Sequence, residues 1–220
     1  MANVKRNYDS SRRQEQARRT RRSILVAAGR LFTSGGYGAT TLQQVADEAG
    51  VAVQTVYAAF GNKAALLEEL LDTSIAGDDT PVAVNDRDWM HDVFHHPDPT
   101  ARVDAYAAAV TGIHERAGDI FSVVRAAATT DPTLASLADT TEQRRRNGAT
   151  NVIDGLDTIG ALRGDLTVAE AVDILWTLNS PEIHQRLVRD SGWTPERFQD
   201  WLAAAIRTAL LAPTPPSRPH

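Results

Sequence analysis

The stretch from Thr41 to Phe60, TLQQVADEAGVAVQTVYAAF, leaves the chain few folds to choose from. Thr41 stands three residues ahead of Gln44, the spacing at which a cap hydroxyl reaches the backbone N–H of the third helical residue while the glutamine side chain reaches back. Leu42, Val45, Ala46 and Ala49 follow at helical intervals, and Gly50 can turn the chain without a Cβ penalty where that helix stops. A second run opens near Ala52, with Val53, Val56, Tyr57 and Phe60 spaced to bury one face and Gln54, Thr55 and Ala58 left outward. Two short helices joined by a tight turn containing Gly form the helix-turn-helix pattern, whose second helix lies in the major groove of DNA. An ordinary helical hairpin has the same outline, so the flanking residues decide between them.

Ile24, Ala27, Ala28, Leu31 and Phe32 form a helix before the motif, and Gly36-Tyr37 with Thr40-Thr41 lead into it. Ala46, Ala49-Gly50-Val51, Val56-Tyr57, Phe60, Lys63 and Leu66-Leu67 continue the pattern. Over Ile24 to Leu67 the chain resembles the N-terminal domain of the TetR family of transcriptional regulators. It departs at Ala52, where the family often has Ser, so the second helix lacks a side-chain cap at a cost of about 1 kcal/mol at most. The resemblance implies that Ala52, Val53, Gln54 and Thr55 meet DNA, with Gln54, Thr55 and Val53 reading bases. Thr41, Tyr57 and Lys63 would hold phosphates.

The charge distribution agrees. Residues 1–63 carry 10 Lys/Arg against 4 Asp/Glu, whereas the remainder carries 13 against 24, so a net charge of -5 hides a basic head on an acidic body. Arg18 and Arg22, in an arginine-rich run that also includes Arg12, Arg13, Arg19 and Arg21, are expected to reach phosphates. A helix should begin near Arg12 and end at Gly35-Gly36, with residues before it disordered. The N-terminus has no apolar run of signal-peptide type, so the protein is expected to stay in the cytoplasm with no membrane partner. There is no cysteine, which removes disulfides, thiolate metal sites and a thiol nucleophile.

The rest reads as helices. Asn62 can cap one striped by Leu66, Leu67, Leu70, Leu71 and Ile75, and Asp86 or Asp88 a short one carrying Trp89, Met90, Val93 and Phe94. Asp98-Pro99, Asp131-Pro132, Ser180-Pro181 and Thr194-Pro195 each put a capping residue before Pro at a first helical position. The helix after Pro99 should end near Gly118, with a shorter one starting at Asp119; further helices begin near Thr167 and Thr194. His91, His95 and His96 read as a polar rim, so no metal or other cofactor is expected. Arg144, Arg145 and Arg146 point three ways around a helix and read as scattered ion pairs. After Leu211 the sequence APTPPSRPH should not pack.

The expected architecture is all-α: an N-terminal three-helix helix-turn-helix DNA-binding domain with its arm over residues 1–63, a helical ligand-binding and dimerisation domain over 64–211, and a disordered tail over 212–220. Aromatic and apolar residues Trp89, Phe94, Tyr106, Val110, Phe121 and Trp176 are candidates for lining an effector cavity, a role the resemblance implies. It also implies a four-helix homodimer interface in which Leu175, Phe198, Trp201, Leu202 and Ala205 take part. No nucleophile elbow, P-loop, dinucleotide fingerprint or zinc-protease motif is present, so catalysis is not expected. A ligand-responsive repressor on a palindromic operator, through double-stranded DNA and an unidentified small molecule, is the reading; an activator, or an architectural DNA-binding protein without an effector, is the alternative.

Overall fold

A computed structural model describes residues 2–213, with backbone alone for residues 2–11. The chain divides into two compact units, residues 1–74 with 119–138 and residues 75–118 with 139–220. The first unit opens with α1, Ala2–Gly35, which starts well before Arg12, so the lead-in expected to be disordered is helical from Ala2. Nothing in that stretch breaks a helix, since Gly and Pro are absent before Gly29. Then come α2 at Leu42–Ala49, α3 at Val53–Phe60 and α4 at Lys63–Ala76, of which residues to Ser74 belong here. Ile24, Ala28 and Phe32 on α1, Val45 and Ala46 on α2, Val56 on α3 and Leu66 and Leu67 on α4 are fully buried. Each large side chain among them contributes about 1.5–3 kcal/mol by leaving water, and together they fix the angle at which α3 is presented.

The second unit begins with two 3-10 turns at Val84–Asp86 and Asp88–Met90, followed by α5 at His91–His95. Neither Asp86 nor Asp88 caps α5; both lie inside the tighter turns, and Met90 precedes the helix without a side-chain cap. The next helix, α6, runs unbroken over Pro99–Ala128, through Gly118. The expected stop fails because Ala117, Ile120 and Val124 keep the apolar stripe in register across the glycine, whose cost of about 1 kcal/mol is offset by that burial. The last turns of α6, from Asp119, and the first of α7, Pro132–Thr158, up to Ala138, fall in the first unit.

Within the second unit α8 spans Val168–Leu178, α9 Pro181–His184 and α10 Pro195–Leu210. Thr167 and Glu170 form a complete capping box, and Ser180 and Thr194 each accept a backbone N–H with Pro in the first turn behind them. Between α9 and α10 lies a π-helical turn, Gln185–Asp190, directly continuing α9. One core joins Tyr106, Val110, Ile153, Leu156, Leu175, Phe198, Leu202 and Ile206. The end of α10 is tied down by an antiparallel bridge between Leu162 and Leu211 and by Ala212 N–H donating to the Ala161 carbonyl at 2.9 Å. Ala212 is thus held by one backbone hydrogen bond while its side chain stays exposed; residues 214–220, the rest of the tail expected not to pack, lie outside the described residues. No helix among the described residues is long and apolar enough to cross a membrane.

Candidate nucleic-acid interface

The approach to α2 is built by three reciprocal contacts at Thr41. Its hydroxyl accepts the Gln44 N–H at 3.2 Å, and the Gln44 amide oxygen accepts the Thr41 N–H at 2.8 Å and its hydroxyl at 3.1 Å. At the other end Gly50 adopts φ 68, the left-handed conformation that a Cβ would strain, and Val51 N–H reaches the Ala46 carbonyl at 3.0 Å. Ala52 then begins α3 with no side-chain cap, as its methyl dictates. Gln54 is exposed and Thr55 and Val53 are half-buried, while Val56 and Phe60 hold the helix to the unit beneath. Tyr57 does not help bury α3: it is 53% exposed, because the packed face is narrower than the apolar spacing implied.

Lys63 lies at the first residue of α4, whose N–H of Ala65 is capped by Asn62 at 2.9 Å. Its ammonium donates to the carbonyls of Tyr37 and Thr40, at 2.8 and 2.9 Å, and sits 4.2 Å from the centre of the Tyr37 ring. Partial burial pushes its pKa down while the Asp131 charge pulls it back up. Burial, with Asp131 adding to it, raises the Tyr37 phenol. Lys63 thus fastens the turn that delivers Thr41, a role the sequence did not disclose.

Of the arginine run, Arg12, Arg13, Arg18, Arg19 and Arg22 are exposed. Arg21 faces the other way. Its guanidinium forms a two-pronged ion pair with Glu69 on α4, donates to the Ala59 carbonyl at 2.7 Å and lies 4.3 Å from the centre of the Phe60 ring. It locks the far end of α3 and is not free for phosphate. Arg19, Arg22, Val26 and Arg30 on α1 line a shallow open cleft with Glu48 and Ala49 at the end of α2.

In the second unit the structure gathers only part of the suggested effector set. Tyr106 and Val110 belong to the buried core, Phe94 and Trp176 pack against it, Trp89 is 38% exposed near the Arg116 guanidinium, and Phe121 falls in the other unit. At the centre is a buried polar group the sequence did not single out. The Asn179 amide donates to the Tyr106 hydroxyl, the His114 Nε2–H donates to the Asn179 carbonyl at 3.0 Å, and Arg145 donates to the Asn179 side-chain oxygen at 2.6 Å. His114 and His184 rings lie 5.1 Å apart, and His184 meets Phe198 edge-on at 4.8 Å. Burial lifts the Tyr106 pKa to about 12 and, with His184 beside it, lowers His114 to about 3; His184 is lowered by burial and by Arg189. His114 was legible as one more position on the inner stripe of α6, eight residues after Tyr106.

Leu175, Phe198 and Leu202 are 0% exposed and belong to the chain's own core, whereas Trp201 and Ala205 are half-buried. Arg145 and Arg146 pair with Glu142 and Asp173, each within ion-pair distance, and both approach the Trp176 ring. The His91 and His95 rings meet edge-on with their centres 4.9 Å apart, yet no group of three or more His, Cys, Asp or Glu able to hold a metal is found among the described residues.

Comparison with known proteins agrees with this geometry. Residues 24–70 match the sequence model described as "Bacterial regulatory proteins, tetR family". The chain is 44% identical over 62 residues to the HTH-type transcriptional regulator TtgR of Pseudomonas putida, covering 28% of this chain and 30% of that one. It is 33% identical over 78 residues to the uncharacterized HTH-type transcriptional regulator YvkB of Bacillus subtilis, covering 36% and 41%. The match thus spans less than half of either relative. Among solved structures, the SmeT–triclosan complex superposes with a TM-score of 0.68 at 18% identity, over 91% of this chain and 97% of that one. NalD, the secondary repressor of the MexAB-OprM multidrug efflux pump in Pseudomonas aeruginosa, gives 0.66 at 19%, over 89% and 98%. At such identities the likeness is one of fold.

Proposed function

We propose that this chain, which belongs to the tetR family of bacterial regulatory proteins, binds a palindromic operator as a homodimer, represses transcription there and lets go when a small molecule enters its second unit. The observation that carries the reading is α3 itself: a short helix with Gln54 outward, held from behind by Val56, Phe60 and Arg21, and preceded by a fully capped α2. Such a helix reaches base edges with its N-terminal residues. Gln54 suits adenine, whose N6 and N7 match an amide in the major groove. Thr41, Tyr57, Arg18 and Arg22 are the phosphate contacts, and residues 1–63 are the reading head.

The effector reading rests on the second unit. Trp176 Nε1 and His184 Nε2 are buried without a hydrogen-bond partner, and a ligand bearing polar groups would supply one. A protein of this fold, SmeT, is known in complex with triclosan, which makes small apolar aromatics the first compounds to try. For the dimer, the outer face of α10 around Trp201, Ala204, Ala205 and Thr208, none of them fully buried, would meet a second copy. Selection of duplexes from a random pool, followed by footprinting, tests the core of the proposal. Enrichment of a two-fold symmetric site protected over both halves is expected; a pool that shows no enrichment sinks it.

A further inference from the structure

Positions 12, 19, 22, 26 and 30 of α1 recur at steps of three, four and seven, so their side chains share one side of the helix. Arg12, Arg19, Arg22 and Arg30 make that side strongly basic, and all four are exposed. Between residues 12 and 30 the helix rises about 27 Å, the length of about eight phosphates along one DNA strand. Val26, amid the arginines, is 49% exposed and offers the kind of apolar surface that a deoxyribose can cover. The stripe is continuous with the reading element, because its cleft is closed by Glu48 and Ala49, the residues immediately before the Gly50 turn into α3. Arg21, on the opposite side of α1, holds the other end of α3. The stripe therefore flanks the end of the recognition helix that reaches base edges.

Two carboxylates temper it. Glu15 pairs with Arg19 at 3.1 Å and Glu48 with Arg30 at 3.5 Å, both between exposed side chains. Exposed pairs of this kind contribute little to the fold, so a phosphate can compete for either arginine.

We propose that this face of α1 is a second DNA contact, a backbone track in which Arg12, Arg19 and Arg30 extend the phosphate contacts beyond those of the helix-turn-helix. It rests on the DNA-binding reading above. The occupant is duplex DNA, and the contact carries affinity without sequence information.

The test is salt-dependent binding of the triple variant Arg12→Ala/Arg19→Ala/Arg30→Ala and the wild type, on the selected operator and on random duplex. Each phosphate neutralised adds about 0.9 to the slope of log K against log salt, so the variant should lose about 2 to 3 from the slope on both DNAs. The wild type should lose the same advantage when the duplex is trimmed to the footprint of α3. Glu15→Gln/Glu48→Gln should bind both DNAs more tightly, and an Arg→Lys triple should keep most of the slope. Circular dichroism establishes that each variant is folded. An unchanged slope in the folded triple variant overturns the track, as does a loss confined to the operator. Should the wild type bind no DNA, the function proposed above fails as well; a wild type that selects an operator while the variant keeps its slope removes the track alone.

Discussion

The Lys63 ammonium donates to the carbonyl of Tyr37 at 2.8 Å while resting against that residue's own ring, 4.2 Å from its centre. One side chain at the start of α4 thereby closes the loop that sets Thr41 in place. Two bonds to charged nitrogen, each worth about 1.5–3 kcal/mol at most, depend on it. Lys63→Met should lower the unfolding midpoint in urea by an amount equivalent to about 2 kcal/mol. It should also weaken operator and random DNA together. If the remaining ammonium hydrogen meets a phosphate, the salt slope falls by about one; an unchanged slope with lowered stability assigns Lys63 to the turn alone.

Gln54 is the outward amide of α3. Gln54→Ala should cost about 1 to 3 kcal/mol on the preferred operator and far less on random duplex, because a bidentate contact to adenine is lost while phosphate contacts remain. Equal losses on both DNAs, measured by fluorescence anisotropy, would remove Gln54 from base readout.

Leu202 is fully buried within one chain, so a charge there attacks the fold. Leu202→Asp should unfold the second unit by several kcal/mol. Ala204 and Thr208 are exposed on the same helix, and Ala204→Arg/Thr208→Arg should leave the fold intact while splitting a dimer built on that face. Light scattering on the folded double variant decides; a dimer that persists at micromolar concentration puts the interface elsewhere.

His114 and His184 are held neutral, with folded pKa values below the 6.5 of the unfolded chain. Below pH 6.5 the unfolded chain takes up protons that the folded core refuses, so stability falls as pH drops from about 6.5 toward the His114 value of about 3. Each histidine can contribute at most about 1.4 kcal/mol per pH unit to that slope. Urea titrations between pH 5 and 8 should show stability rising with pH and levelling off near 7. His114→Asn should flatten the rise.

Where a helix begins with a side-chain cap, the sequence was legible: Thr41, Asn62, Thr167, Ser180 and Thr194 each cap the helix expected of them. The motif and its αL glycine were equally plain, because Gly50 and the capping box are local. Helix ends inside long amphipathic runs were not. Gly118 read as a stop, yet burial on either side overrode it, and the residues ahead of Arg12 are helical from Ala2 where lack of apolar periodicity had argued against a helix. Site residues divide the same way. Gln54 could be placed outward from spacing alone, but the partners of Lys63 and Arg21 lie 23 to 48 residues away in sequence, and only the fold brings them together. The core status of Leu175, Phe198 and Leu202 was hidden because an apolar stripe looks alike whether its cover is the same chain or another copy.

The π turn over Gln185–Asp190 fits one more residue into its hydrogen-bonded ring than an α turn does. It is the form a helix takes when a residue is inserted and the neighbours on both sides refuse to rotate. Here they are His184, fixed against Phe198, and the segment entering α10, fixed by the Trp193 N–H bond to the Leu187 carbonyl at 3.0 Å. Deleting Val188 would make the helix regular and turn one side about 100° against the other. In that register the imidazole and the α10 core could not both keep their seats, so a shorter chain here carries a misaligned one.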